Sequence, residues 1–341
     1  MISIEDYLKS LPLTPLIDVR SPGEFKKGHI PGAINIPLFS DEERAIVGTA
    51  YKQISKERAI EIGLGFVQPK LQDFIKQSFQ AAPEGKAVIH CWRGGMRSQA
   101  FAKHLAENGF PFVDTIEGGY KSFRTKVLHE FYKNYSLRII GGYTGSGKTT
   151  ILQHLSQYGL QVIDLEGIAK HKGSAFGKTS EEQPSIEQFE NNIFWQWKDL
   201  DLSQPIWLED ESHNIGSVKI PMGLYQKMRQ AEVYFLEIPK IKRAQQLVKD
   251  YSVIEKSILS GSLLRISRKL GDLHTRTAQE YLENDNFLEV AILALNYYDK
   301  YYKKGMELRE TVSVHKISLP TTDPKKNALS ILKYYKSQVN E

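Results

Sequence analysis

The run Leu137-Arg138-Ile139-Ile140-Gly141-Gly142-Tyr143-Thr144-Gly145-Ser146-Gly147-Lys148-Thr149 constrains the fold more than any other stretch of the chain. A β-rich apolar segment breaks into glycines and hands over to a helical pattern, with lysine and threonine at the junction. Gly142 to Thr149 match the Walker A pattern in the context it requires, after a strand and opening a helix. Backbone amides around Gly142, Gly145, Ser146 and Gly147 would cradle phosphates, Lys148 would bridge their oxygens and Thr149 could hold Mg²⁺. The second half is therefore predicted to be an α/β domain. Its further strands are expected at Gln161–Asp164, Pro205–Glu209, Val233–Glu237 and Val312–His315, with a mostly helical stretch from about 240 to 308. Asp164 and Glu166 end one strand; Glu209, Asp210 and Glu211 end another. One of these acids is expected to order a metal or a water. The pattern identifies neither that acid, nor the metal, nor whether ATP is bound.

The first half alternates in the same way. Leu16–Val19, Ala33–Ile36 and Ala87–His90 read as strands, and the segments around 68–80 and 97–108 as helices. Between the third strand and the second of those helices lies Cys91-Trp92-Arg93-Gly94-Gly95-Met96-Arg97-Ser98. A thiol at a strand-to-helix turn faces the turn's amides and the positive end of the helix, and both favour the thiolate. The same amides form a bowl for a tetrahedral anion, which Arg97 can close with its forked donor. Cys91 is thus the candidate nucleophile. The boundary between the halves is placed near 134, giving domains 1–134 and 135–341.

Composition removes several classes. Apolar residues are 41% and charged residues 25%, the profile of a globular protein. No apolar run reaches the roughly 18 residues of a membrane span. The start is acidic where a secretory signal is basic, so the expected compartment is the cytoplasm. A single cysteine rules out an internal disulfide and a cysteine-rich zinc site. Residues 1–240 balance 28 Lys+Arg against 28 Asp+Glu. The last 101 residues hold 17 against 12, so the whole net charge of +5 sits there. A polyanionic partner and a solvated helical surface both account for that asymmetry. Lys170-His171-Lys172-Gly173-Ser174-Ala175-Phe176-Gly177 reads either as a loop contacting phosphate or base, or as a solvated turn. Arg265, Arg268 and Lys269 fall at helical spacing and present three cations on one face. Tyr297 to Lys304 interleave aromatics with lysines, either to meet stacked bases and phosphates or to pack tyrosine inward.

Asp18-Val19-Arg20-Ser21-Pro22-Gly23-Glu24-Phe25, followed by Gly28-His29-Ile30-Pro31-Gly32-Ala33-Ile34-Asn35-Ile36-Pro37, resembles the rhodanese-domain signature. The resemblance implies a cysteine that carries sulfur or selenium as Cys–S–S⁻ or Cys–S–Se⁻. Asp18, Arg20 and His29 are read as structural. Sulfurtransferases of that family place four residues between cysteine and arginine, whereas here there are five, a loop sized for phosphate. The expected fold is therefore an N-terminal rhodanese-like domain and a C-terminal P-loop NTPase-like domain with a helical, basic extension.

The joined halves, with Val47-Gly48-Thr49-Ala50-Tyr51-Lys52, Asp164-Leu165-Glu166 and His171-Lys172-Gly173-Ser174, resemble the tRNA 2-selenouridine synthase family over nearly the whole chain. The resemblance implies exchange of the 2-sulfur of a wobble 2-thiouridine for selenium from selenophosphate, by way of an S-geranyl intermediate made from geranyl diphosphate. Cys91 would carry selenium, and the P-loop would hold a substrate's phosphates. No tightly bound cofactor is expected, and Mg²⁺ is possible. The implied partners are tRNA, gripped at the anticodon stem-loop through Lys170, Lys172, Arg265, Arg268 and Lys269, and a selenophosphate synthetase. Other readings of the residues are a cysteine-dependent phosphatase, a P-loop kinase with a regulatory rhodanese domain, and a tRNA-binding scaffold that delivers sulfur to a partner.

Overall fold

Strands covered on both faces read as unbroken apolar runs, which is how parallel sheets are written in sequence. The computed structural model describes residues 1–10, 14–172, 181–251, 255–309 and 313–339. The chain divides into two units, Met1–Glu130 with Glu187–Trp195, and Phe131–Ile186 with Gln196–Glu341. A single boundary at 134 did not contain the second crossing.

In the first unit β1 (Leu16–Asp18), β2 (Ile34–Asn35), β3 (Lys86–His90) and β4 (Phe112–Thr115) form a parallel sheet in the order β2-β1-β3-β4. Strand β4 lacks the strong apolar pattern of the others and was not expected. The helices are α1 (Ile4–Lys9), α2 (Pro22–Lys27), α3 (Asp41–Gln53), α4 (Lys56–Val67), α5 (Leu71–Ala81), α6 (Met96–Glu107) and α7 (Gly119–Glu130). Ser21 and Ser40 start α2 and α3 through capping boxes with Glu24 and Glu43, each satisfying two amides that a helix start leaves open. Ile17, Val19 and Ile89 of the sheet region pack with Phe74 of α5 and Phe101 and Leu105 of α6, and Cys91 belongs to that core.

In the second unit β5 (Leu137–Gly142), β6 (Gln161–Ile163), β7 (Ile206–Glu209), β10 (Glu232–Glu237) and β11 (Val314–Ser318) make a parallel sheet ordered β11-β10-β5-β7-β6, with β8 (Asn214–Ile215) and β9 (Val218–Lys219) as a separate hairpin. The order reverses around β5, the switch point at which such sheets open a crevice beyond their carboxyl ends. The phosphate loop leaves β5 there and enters α8 (Lys148–Gln157). It is followed by α9 (Leu165–Ala169), α10 (Ile186–Trp197), α11 (Met222–Gln230), α12 (Lys240–Tyr251), α13 (Lys256–Leu270), α14 (Asp272–Glu283), α15 (Phe287–Glu307) and α16 (Pro324–Val339). Ile140, Leu152, Trp207, Leu236 and Ile331 anchor the sheet's core. Leu259, Leu263, Leu282 and Val290 hold α13, α14 and α15 together. Val312 and the Gly173–Gly177 part of the basic loop lie outside the described residues. No described helix is long and apolar enough to cross a membrane.

Candidate active sites: a cysteine loop and a phosphate loop

Cys91 stands at the carboxyl end of β3, one residue before the turn that opens α6. Its side chain is 3% exposed and its sulfur lies 3.3 Å from the Ser98 hydroxyl, which in turn donates to the Gly95 carbonyl at 3.1 Å. Burial works to raise the thiol's pKa. The Ser98 hydroxyl, the Arg97 charge and the amides of Ser98 and Arg93 outweigh it, so the thiol sits below its ordinary value. The loop depends on close backbone approach at two glycines. A side chain on Gly94, at φ +64°, would meet the Ile116 carbonyl at 2.4 Å, and one on Gly119, at φ +60°, would meet the Cys91 carbonyl at 2.3 Å. The Tyr120 and Lys121 amides donate to the Cys91 and Trp92 carbonyls, each at 2.9 Å. Trp92, Arg93 and Met96 are exposed around the loop, and Gly95 is part-exposed. Arg97, expected to close the bowl, donates to Glu24 at 3.2 Å and acts on Cys91 by its field.

Beneath this loop Arg20 is 1% exposed and donates to Asp18 at 2.6 Å and to the Gly28 carbonyl at 2.8 Å. Its guanidinium lies 3.8 Å from the centre of the Tyr120 ring. These groups and His29, stacked on Phe25, have the structural roles read from the signature. Burial holds the fully buried His90 below its ordinary pKa. Reasoning from sequence missed α10 here. Tyr120 donates to Glu187 at 2.8 Å, Asn191 donates to the Tyr120 oxygen at 2.8 Å, and Arg124 pairs with Glu190 at 2.5 Å. Asn191 and Gln188 also bind the His29 carbonyl and amide. No local motif marks these partners.

The phosphate loop lines a cleft of about 880 Å³ within the second unit, with Glu166, Glu211 and residues of α15 on its walls. Gly145, at φ +82°, lets the loop pass Arg243 and Leu247, whose atoms lie 3.1 Å from where a side chain would start. Arg243 donates to the Thr144 carbonyl at 3.0 Å and grips Asp299 of α15 with two further bonds. Ser146 is buried and donates to the Tyr143 carbonyl. Lys148 reaches the Gly142 carbonyl at 3.4 Å, and Thr149 donates to Glu166 at 2.6 Å.

The five strand-end acids separate by role. Asp164 caps α9, accepting from the Gly167 amide at 2.7 Å. Glu209 is fully buried, accepts the Glu166 amide at 2.7 Å, and its other oxygen has no partner among the described residues. Burial, then the charges of Asp164 and Glu166, push its pKa well above the ordinary range. Asp210 is committed elsewhere: Arg309 donates to one oxygen and Tyr302 to the other, the latter at 2.6 Å. The Tyr302 oxygen also receives the Gly142 amide at 3.0 Å, so Asp210 holds the loop in place and is not a free acid of the cleft. Glu166 and Glu211 line the cleft together with the capping Asp164. Burial and the neighbouring Glu166 push Glu211 up to about 8, against the pull of Lys148. Lys170 pairs with Glu181 at 2.7 Å, and Lys172 lines the cleft beside it. Arg265, Arg268 and Lys269 are exposed on α13.

A rhodanese-like sheet ending in a cysteine loop, followed by a P-loop sheet in one chain, defines a class of two-unit α/β transferase. Residues 3–126 match the rhodanese-like domain family, and residues 135–319 match the family described as the tRNA 2-selenouridine synthase AAA domain. Proteins named tRNA 2-selenouridine synthase from Nitrosomonas europaea and from a Sulfurovum species are 35% and 33% identical to this chain. Those matches cover 87% and 86% of it and 90% and 89% of the relatives. One of the same name from Shewanella denitrificans is 40% identical over 71% of this chain and 66% of its own. The chain belongs to the tRNA 2-selenouridine synthase family.

Proposed function

We propose that this chain, acting in the cytoplasm, exchanges the 2-sulfur of a wobble 2-thiouridine in a tRNA anticodon stem-loop for selenium from selenophosphate, in two steps. In the first, the 2-sulfur attacks C1 of geranyl diphosphate. A C–S bond forms, the C–O bond breaks, and diphosphate leaves into the phosphate loop and Lys148. Mg²⁺, if it accompanies the diphosphate, would bind its oxygens and the Thr149 hydroxyl, as this ion does in sites completed by substrate phosphates, and would neutralise the leaving charge. In the second step the terminal selenium of Cys91–S–Se⁻ attacks C2, a C–Se bond forms, the C–S bond to the geranylated sulfur breaks, and geranyl thiolate departs. Geranylation turns a poor leaving sulfur into a better one. Selenophosphate is supplied by its synthetase, free or docked.

The observation that carries this reading is the setting of Cys91, a sole thiol held below its ordinary pKa at the floor of an amide-lined loop. For Cys91 to carry selenium as Cys–S–Se⁻, its sulfur attacks selenium and the P–Se bond breaks with its electron pair left on phosphorus, which is reduced and departs as phosphite. With selenium on C2, a thiol from solution attacks the Cys91 sulfur and the S–Se bond breaks with its pair on selenium; a second thiol reduces the resulting mixed disulfide, because the chain has no second cysteine.

The test supplies purified protein with thiolated stem-loop RNA, geranyl diphosphate, selenophosphate and an external thiol, and reads the nucleosides by mass spectrometry. Cys91→Ser is expected to geranylate but not selenate, and Lys148→Ala to fail at geranylation yet selenate RNA supplied already geranylated. Wild-type selenation by Cys91→Ser would refute the role of Cys91. A second reading, a cysteine phosphatase, draws on the five-residue loop. Release of phosphate from an aryl phosphate by the wild type, abolished in Cys91→Ser, would put it first.

A further inference from the structure

One wall of the phosphate-loop cleft is a face of α15, residues 298, 301, 302 and 305 recurring at helical spacing. That face is fixed at three points, two of them on the phosphate loop. Asp299 is gripped by Arg243, which also holds the Thr144 carbonyl. Tyr302 bridges Asp210 and the Gly142 amide. Arg229 of α11 donates to the Gly305 carbonyl at 2.7 Å. Between these anchors Tyr301 lines the cleft with 46% of its surface exposed. Its ring is braced by Tyr297, centroid to centroid 4.7 Å and tilted 55°, and the Lys269 ammonium stands 5.3 Å from its centre.

A large aromatic ring left half open, on a helix tied this firmly, contributes little to the core. It is a preorganised flat surface beside a phosphate site, and the cation over the ring suits a polar π-system better than a hydrocarbon tail. Lys269 continues along α13 into Arg268 and Arg265, a cationic row longer than one nucleotide needs. We propose that Tyr301, backed by Lys269, is a stacking platform for an unpaired base of the RNA substrate. The proposal rests on the reading of this chain as a tRNA-modifying enzyme.

The test is equilibrium binding by the full chain of a labelled anticodon stem-loop carrying 2-thiouridine, at several salt concentrations. ATP, geranyl diphosphate and inorganic pyrophosphate are titrated alongside. Removing the platform for one stacked base is expected to weaken RNA binding by roughly 5- to 150-fold in Tyr301→Ala. The salt slope and the pyrophosphate affinity should not change, and Tyr301→Phe should restore binding because stacking needs the ring and not the hydroxyl. A wild type that binds while Tyr301→Ala binds equally refutes the platform alone. Weakened ATP or geranyl diphosphate binding with RNA binding intact also overturns it, assigning the ring to a free nucleotide or a prenyl tail. A wild type that does not hold the stem-loop refutes the tRNA reading and the platform together.

Discussion

Glu209 and Asp210 are adjacent acids at the end of one strand, and their amide variants are expected to behave oppositely. Asp210 and Arg309 are 7% and 1% exposed, so Asp210→Asn strands a guanidinium where water cannot reach it. Breaking a buried pair by removing one partner costs about 3–5 kcal/mol. Asparagine can still accept from Tyr302 but cannot answer the charge. Burial pushes the pKa of Glu209 well above the ordinary range, which favours its neutral form, and Glu209→Gln keeps the shape of that form without a charge. That change should cost less than about 1 kcal/mol. Amide hydrogen exchange of β5 and β7 reads the second unit alone. Asp210→Asn should cut their protection by about 150- to 4000-fold, the same energy expressed as an opening constant. Glu209→Gln should cut it less than about fivefold. A drop under tenfold in Asp210→Asn, or an equal drop in both variants, would refute the assignment of Asp210 to structure and Glu209 to a buried neutral acid.

Glu211, raised by burial and by Glu166 to about 8 from an ordinary 4.5, holds a proton in the folded state that the unfolded chain has released. Stability of the second unit should therefore fall as pH rises between about 4.5 and about 8. Glu211→Gln should flatten that decline in thermal unfolding at constant ionic strength, and a slope unchanged by the substitution would count against the raised pKa. Replacing Arg265, Arg268 and Lys269 together with alanine should weaken tRNA binding. It should reduce the slope of log affinity against log salt by about 0.7–0.9 for each phosphate these cations neutralise; an unchanged slope would leave that face a solvated surface.

Both loops were legible in the sequence because their chemistry is local. Glycine spacing, a strand before and a helix after decide where amides point, and Gly94, Gly145 and Gly147 adopt the left-handed conformations that only such residues take easily. The roles of the strand-end acids were not legible. Asp210 is set apart from Glu211 by Arg309, 99 residues further on, and nothing near Asp210 announces that partner. The tyrosine–lysine run of α15 left two readings open, and its tyrosines do not share one environment: Tyr302 donates to Asp210 and accepts from the Gly142 amide, while its neighbour Tyr301 stays open to the cleft. Strand β4 was missed because pairing with β3, more than its own residues, makes it a strand.

The nine residues Glu187–Trp195 of α10, which lie between two strands of the P-loop sheet in chain order yet pack within the rhodanese-like unit, bear on modularity. A chain cut at 134 keeps every residue of the rhodanese signature and still lacks part of the folded body. Tyr120 would lose both partners of its hydroxyl, Arg124 its carboxylate, His29 the groups that hold its amide and carbonyl, and Phe123 the edge of the Phe194 ring. Tyr120 also supports Arg20 and donates its amide to the Cys91 carbonyl, so the gap would open directly under the nucleophile. Because the chain enters the first unit twice, neither unit can be swapped for a homologue's by joining chains at one point. A graft that preserves the cysteine loop must carry α10 with it.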